Sequence, residues 1–154
     1  MGHTGGRAGI ASGATAFRDV FALPATGTYT ITVDPRDVLT GSLTYTMNAV
    51  PDNTGSTTIG TPTTVAVGTI GEVAIRSFSA TAGQSVSLSV SGNTIAGVDL
   101  TVRNPSGGIV ATLFASGATA TRSAFTLPVT GTYTITVDPR DQLVGTLTFT
   151  LIQN

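Results

Sequence analysis

The chain repeats part of its own sequence, and this internal repeat constrains the fold more than any other feature. When the sequence is shifted by 104 positions, residues 11–47 align with residues 115–151, and 27 of the 37 aligned positions are identical. The best-matched stretches, residues 26–37 and 130–141, have the same sequence throughout. A repeat longer than about 50 residues is typical of tandem whole domains and not of a solenoid built from short units.

The position of the repeat predicts one complete unit preceded by part of another. The complete unit is expected to occupy residues 57–154, and residues 10–50 match only the C-terminal part of a first unit. Residues 51–56 are predicted to form a linker, because their proline, aspartate, asparagine and glycine have little to bury. Residues 1–9, which include His3, are predicted to be a flexible leader.

Alternation of apolar and polar residues predicts β-strands in both copies. In residues 132–137, Tyr133, Ile135 and Val137 share one side and threonines occupy the other, and residues 146–151 repeat this pattern. With further strands predicted over 64–67, 73–78, 85–90, 98–102, 109–114 and 124–127, about eight short strands fit into roughly 100 residues. This spacing, without a convincing helix, predicts an all-β protein: an antiparallel β-sandwich or jelly-roll-like module with a preceding partial copy.

The partial copy raises a packing problem of its own. Residues 10–50 would present the apolar face of a sandwich without the strands that cover it in a complete unit. Two interpretations are open: this face packs on something else, or residues 10–50 are poorly ordered.

Composition excludes several classes of function. Charged residues make up 10% of the chain, against about 25% in a typical domain, and seven arginines nearly balance eight acidic residues. We therefore expect neither nucleic-acid binding, which needs a basic patch, nor membrane insertion, which needs an apolar run of about 18 residues. Without cysteine, and with His3 as the single histidine, neither a thiol nucleophile nor a catalytic triad is expected. We predict no catalytic residues and no enzyme.

Three segments of the complete unit, residues 78–90, 98–107 and 127–138, resemble the bacterial pre-peptidase C-terminal (PPC) domain. The resemblance rests on their order: a phenylalanine, an Ala-Thr-Ala-Gly-Gln loop, an Asp-Leu strand, an Asn-Pro-Ser-Gly turn and a Leu-Pro-x-Thr-Gly-Thr-Tyr strand. It covers about residues 65–151, and again 11–47 for the last strands. Closely similar repeats occur in large bacterial surface proteins, including those with tyrosine-aspartate (YD/Rhs-type) repeats.

The resemblance implies a secreted, non-catalytic β-sandwich that is appended to hydrolases or arrayed in surface proteins. Some relatives bind insoluble polymers such as collagen, and some of those bind calcium. Family members often carry several acidic residues before the first phenylalanine, whereas here only Glu72 is acidic in residues 71–78. Because calcium needs about six to eight oxygen ligands, no cofactor is predicted with confidence and calcium stays a possibility.

The weak candidates for a metal site are Asp138, Asp141, Asp99 and Glu72. Asp138 and Asp141 recur in the first copy as Asp34 and Asp37. The structural alternative for the recurring pair is that it caps a turn while Arg140 screens its charge. The structural alternative for Asp99 is an edge position or an outward-facing position within a strand.

The weak candidates for a binding surface are threonines, of which the chain has thirty. The outward ranks are predicted to form one flat face of hydroxyl and methyl groups that could order water or meet a flat polymer: Thr132, Thr134, Thr136, Thr146, Thr148 and Thr150. The alternative is that threonine supplies strand propensity and solubility where charges are scarce. The aromatic side chains are predicted to lie mostly inward, which disfavours a platform for sugars.

These observations predict a secreted or cell-surface β-sandwich repeat of bacterial type, with its export signal outside this chain. We expect it to act as a spacer, anchoring or adhesion module of a larger protein, in contact with neighbouring repeats or an extracellular polymer. Two alternatives are open: a module that binds polysaccharide or a collagen-like polymer, and a homo-oligomer completed by strand exchange through residues 10–50.

Overall fold

The computed structural model describes residues 9–51 and 53–154, and within them it contains nine strands and no helix. The predicted leader, including His3, therefore lies outside the described residues except for Gly9. No helix in the described ranges is long and apolar enough to cross a membrane. The strands are β1 (Asn53–Ser56), β2 (Thr63–Val67), β3 (Ala74–Ala80), β4 (Ser85–Ser91), β5 (Val98–Arg103), β6 (Ile109–Ala115), β7 (Ala120–Thr126), β8 (Gly131–Pro139) and β9 (Gly145–Gln153).

The strands form a sandwich of two sheets, which confirms the predicted fold class. One sheet has five strands in the order β1-β3-β8-β5-β6, and the other has four in the order β2-β9-β4-β7. Every pairing is antiparallel except that of β1 with β3. The last two strands lie inside the sheets, since β8 pairs with β3 and β5 while β9 pairs with β2 and β4.

The period-2 pattern of the sequence produces the core directly. Along β8, Tyr133, Ile135 and Val137 are fully buried, whereas the threonines between them are exposed or half-buried. Because alternate residues of a strand point to opposite faces, strands with this pattern, such as β8 and β9, give one apolar face to the space between the sheets. The large side chains at the centre of this core are Tyr133, Phe149, Leu88, Ile95, Leu100, Leu127, Ile135, Leu147 and Leu151.

The predicted linker at residues 51–56 is wrong over residues 53–56, which form β1. The Arg76 guanidinium on β3 donates one hydrogen bond to the Asn53 carbonyl oxygen and one to Asn53 Oδ1, both at 2.9 Å. The Arg76 side chain also packs against Gly55, where an added Cβ would lie 3.2 Å from Arg76 Cδ. This edge strand is therefore held by side-chain hydrogen bonds and not by apolar burial, which hydrophobic periodicity does not detect.

Residues 9–51 contain no strand or helix, although they repeat the sequence of β7–β9. Their large apolar side chains are exposed, with Ile31 at 49% and Val33 at 52%, whereas the equivalent Ile135 and Val137 are fully buried. The main chain nevertheless keeps local features of the complete unit. Asp37 and Asp141 have the same left-handed φ of +53°, each in the turn after the equivalent stretch.

Candidate functional site

Four of the described acidic side chains lie at one corner of the sandwich. Asp99 on β5 and Asp138 on β8 are register partners and both side chains point outward. Asp141 follows in the turn after β8, and Asp19 approaches the same shallow concavity from the 9–51 segment. The structure thus brings three of the four metal candidates to one corner and leaves Glu72 elsewhere.

Arg140 is the basic residue at this corner, and its guanidinium binds the Asp99 carboxylate in a bidentate manner. Its Nε donates to Asp99 Oδ2 at 2.6 Å and its Nη2 donates to Asp99 Oδ1 at 3.0 Å. The guanidinium also lies 4.1 Å from the centre of the Phe114 ring on β6, a cation–π distance. The hydrogen bonds to Asp99 raise the pKa of Arg140 above its usual value. Arg140 therefore contacts Asp99 and Phe114 directly, and it interacts with Asp141 through charge, without a hydrogen bond.

Of the two structural alternatives for Asp99, an edge position or an outward-facing one, the structure shows the second. Its side chain faces outward, as expected, but β5 lies between β8 and β6 and is not an edge strand. The Phe114 contact has a simple cause in the register, because Asp99 of β5 lies opposite Phe114 of β6. The sequence could have indicated this cluster only if the pairing of these two strands had been known.

Asp138 lacks the cation that stabilises Asp99. Partial burial is the main factor that raises the pKa of its carboxyl, and the nearby carboxylates of Asp19 and Asp99 raise it further. A carboxyl with a raised pKa in the folded state binds its proton more tightly when folded. Asp138 therefore disfavours the folded state once it ionises, and this penalty is complete above its folded pKa and disappears below 3.8, its usual value.

Replacement of Asp138 by asparagine is expected to raise the free energy of unfolding at pH 7. The gain should shrink as the pH falls through the folded pKa of Asp138, because the wild-type carboxyl then becomes protonated. Urea denaturation at pH 7 and pH 3.5 measures both values. Asp37→Asn, at a position far less engaged with the sandwich, serves as the control. A gain of equal size at both pH values would contradict the assignment.

Glu72 is buried, with 7% of its surface exposed, and it closes the loop between β2 and β3. Glu72 Oε2 accepts hydrogen bonds from the amides of Gly68 and Thr69, each at 2.9 Å, and Glu72 Oε1 accepts one from Asn53 Nδ2 at 2.6 Å. Burial alone would raise its pKa, but the three hydrogen bonds together outweigh burial and lower it. Glu72 is thus an anchor that ties β1 to the β2–β3 loop.

The four candidates do not fit a calcium ion. Both oxygens of Glu72 accept hydrogen bonds from N–H donors, and both oxygens of Asp99 are bound by Arg140. Asp138 and Asp141 remain, which is far below the six to eight oxygens that calcium takes. Across residues 9–51 and 53–154, no group of three or more His, Asp or Glu side chains could hold a metal ion.

The single threonine face predicted from the sequence is wrong. Thr132, Thr134 and Thr136 lie on β8 in the five-stranded sheet, whereas the rank on β9 lies in the four-stranded sheet. The two ranks therefore cover opposite outer faces of the sandwich. Alternation shows which residues point away from a sheet, but it does not show which sheet a strand joins. The β9 rank is Thr146, Thr148 and Thr150.

Within residues 53–154, most aromatic side chains point inward. Phe78, Tyr133 and Phe149 are buried, and Phe78 stacks on Tyr133 at 5.5 Å between ring centres. Tyr133 Oη also donates to the Val129 carbonyl oxygen at 2.7 Å, in the manner of a tyrosine corner. Phe114 is the exposed aromatic of this unit at 47%, and Arg140 lies over its ring.

The two packed sheets and their weakly charged, threonine-rich outer faces define the class of protein as a β-sandwich module. Residues 72–139 match the family model described as "Bacterial pre-peptidase C-terminal domain". Residues 72–139 of the chain therefore match the PPC domain family. This confirms the family resemblance found in the sequence.

One solved structure agrees with this match at the level of the fold. The PPC domain of the collagenase from Bacillus anthracis is 17% identical with a TM-score of 0.56, and the match covers 68% of this chain and 99% of that one. PliG from Aeromonas hydrophila, a periplasmic inhibitor of g-type lysozyme, is 14% identical with a TM-score of 0.45, covering 66% of this chain and 99% of that one. No curated protein sequence matches the chain.

Proposed function

We propose that this chain is an extracellular repeat that acts as a spacer, anchoring or adhesion module of a larger bacterial secreted or surface protein. The observation that carries this proposal is the PPC domain over residues 72–139, since such domains occur in secreted bacterial peptidases. The internal repeat supports an arrayed arrangement, because 27 of 37 positions recur at a spacing of one domain.

The side chains of the complete unit favour a spacer over a binding site for a polymer. Two of its four described carboxylates have structural roles, since Glu72 closes a loop and Asp99 binds Arg140 across the outer face of the five-stranded sheet. The two threonine ranks face opposite directions, so they do not form one platform. Carbohydrate-binding surfaces use exposed aromatic rings, and here Phe114 is already covered by a guanidinium.

The test is retention of the full chain on insoluble collagen, cellulose and peptidoglycan, with calcium and with a chelator. We expect no retention above that of an unrelated protein of similar charge. Retention on any polymer would overturn the spacer role and favour polymer binding. Phe114→Ala is the matched variant: if it abolishes retention, the exposed ring is the binding group, and if the chelator abolishes retention, a metal site is involved.

A further inference from the structure

The exposed apolar side chains of residues 11–47 match, position by position, side chains that form the core of the complete unit. The side chains of Leu23, Tyr29, Ile31, Val33 and Leu43 are 39% to 53% exposed. In the complete unit, the identical residues 104 positions later are at most 1% exposed. Two further positions differ only conservatively, with Tyr45 in place of Phe149 and Met47 in place of Leu151. The equivalents of the first five are Leu127, Tyr133, Ile135, Val137 and Leu147.

The complete unit shows which strands cover the equivalent apolar side chains. There, residues 115–151 supply β7, β8 and β9, and the remaining strands, β1–β6 from residues 53–115, pack around them. A partner that covers the apolar side chains of residues 11–47 in the same way would therefore be a set of strands with the sequence of β1–β6. We call residues 53–114 the scaffold and residues 11–47 and 115–151 the two closing segments.

Residues 11–47 already have the local shape of a closing segment. Tyr29 Oη donates to the Ala25 carbonyl oxygen at 2.6 Å and accepts from the Ala25 amide at 3.2 Å, just as Tyr133 does with Val129 at 2.7 and 3.1 Å. The turn that follows is also the same, with Leu39 donating its amide to the Arg36 carbonyl oxygen at 3.1 Å. These contacts are internal to the segment, so they do not require the scaffold.

Two glycines of residues 11–47 stand at positions where the complete unit requires glycine because the scaffold leaves no room for a Cβ atom. At Gly145, a Cβ would lie 2.7 Å from Thr94 Oγ1, and at Gly131 it would lie 2.7 Å from Pro105 Cγ. Thr94 and Pro105 both belong to the scaffold. The equivalent Gly41 and Gly27 have nothing within 4 Å of the same position.

The chain is long enough to bring this segment to its own scaffold. In the complete unit, the Leu151 carbonyl oxygen accepts a hydrogen bond from the Gly60 amide at 2.7 Å, so the end of β9 lies beside residue 60. If residue 47 took the place of Leu151, residues 48–59 could connect these neighbouring points once β1 had left its place beside β3, because residues 53–56 otherwise stay in the scaffold. Twelve residues reach on the order of 40 Å when extended, far more than this gap requires.

We propose that residues 11–47 are a second closing segment for the scaffold of the same chain, able to replace residues 115–151 in the sandwich. The exchange would yield a circularly permuted order of the same strands. In the structure, residues 115–151 and not residues 11–47 are packed against the scaffold. One reason for this preference is that Tyr45 would bring a hydroxyl group to the fully buried position of Phe149. The inference does not depend on the proposed extracellular role.

The test uses three variants of the full chain: Ile135→Asp, Ile31→Asp and the double variant. A buried aspartate in β8 disables residues 115–151, so Ile135→Asp is expected to remain folded with residues 11–47 in the sandwich. Amide hydrogen exchange should show protection moving from residues 132–137 and 146–151 to residues 28–33 and 42–47. Ile31→Asp should keep the wild-type protection pattern, and the double variant should lose cooperative unfolding.

Two results would overturn the proposal. One is that Ile135→Asp unfolds as completely as the double variant, and the other is that it stays folded whether or not residue 31 is changed. A milder pair, Gly145→Ala with and without Gly41→Ala, asks the same question without a buried charge: the double variant should unfold at lower urea than Gly145→Ala alone. Light scattering completes the test, since a monomer supports exchange within one chain and a dimer replaces it with exchange between two copies.

Discussion

Replacement of Leu100 by alanine is expected to lower the free energy of unfolding by about 2–5 kcal/mol. Leu100 lies fully buried on β5, between Val137 of β8 and Leu113 of β6 in the register. Truncation would leave a cavity at the middle of the five-stranded sheet, where backbone pairing on both sides limits collapse. Because Leu100 belongs to the scaffold, neither closing segment can compensate for its loss. Urea denaturation of the full chain measures the change.

Thr101→Ala is the matched control for this prediction. Thr101 is the next residue on β5 and is half-buried on the outer face of the sheet. Its replacement is expected to change the free energy of unfolding by less than about 1 kcal/mol. Equal losses for the two variants would contradict the placement of Leu100 between the sheets.

Replacement of Glu72 by glutamine is expected to cost about 1–3 kcal/mol at pH 7. The carboxylate accepts three hydrogen bonds, from Asn53 Nδ2 and from the Gly68 and Thr69 amides. An amide group of the same size would turn its own N–H donors toward at least one of these donors. The loop between β2 and β3 and the edge strand β1 should loosen together, which amide exchange at residues 53–56 and 68–72 would detect.

The same carboxylate gives a dependence on pH with a defined sign. The folded pKa of Glu72 lies below its usual value of 4.5, so its contribution to stability is complete above pH 4.5 and is lost as the pH falls through the folded pKa. The wild-type chain should therefore lose stability over this interval, and Glu72→Gln should show a smaller loss. If the two proteins keep a constant difference between pH 7 and pH 3, Glu72 is not the anchor described here.

The sequence predicts the inward residues of this fold well. Tyr133, Ile135 and Val137 follow a period of two, and burial of an apolar face is the largest favourable term in folding, so pattern and structure agree. The repeat is informative for the same reason. It marks Ile31 and Val33 as core residues by identity, even though both are half-exposed in the structure.

What the sequence cannot predict is how the strands are ordered in the sheets. The threonines of β8 and β9 alternate identically, yet the two strands lie in different sheets, because sheet membership depends on non-local pairing. The partnership of Asp99 and Arg140 has the same origin, since it needs β5 beside both β8 and β6. Hydrophobic periodicity does not predict β1, because this strand has no apolar side chain and is held by hydrogen bonds of Asn53 with Arg76 and Glu72.

The central positions of β8 and β9 set the order in which this sandwich can be completed. The strands near the end of the chain lie between strands formed from its earlier residues, so the five-stranded sheet is not continuous until β8 is available and the four-stranded sheet not until β9 is. Folding dominated by such non-local pairing is slow, in the range of milliseconds to seconds. A chain synthesised or threaded through a membrane from its N-terminus would therefore keep this sandwich open until β8 and β9 emerged, and during that interval residues 11–47 would be the only closing segment within reach of the scaffold.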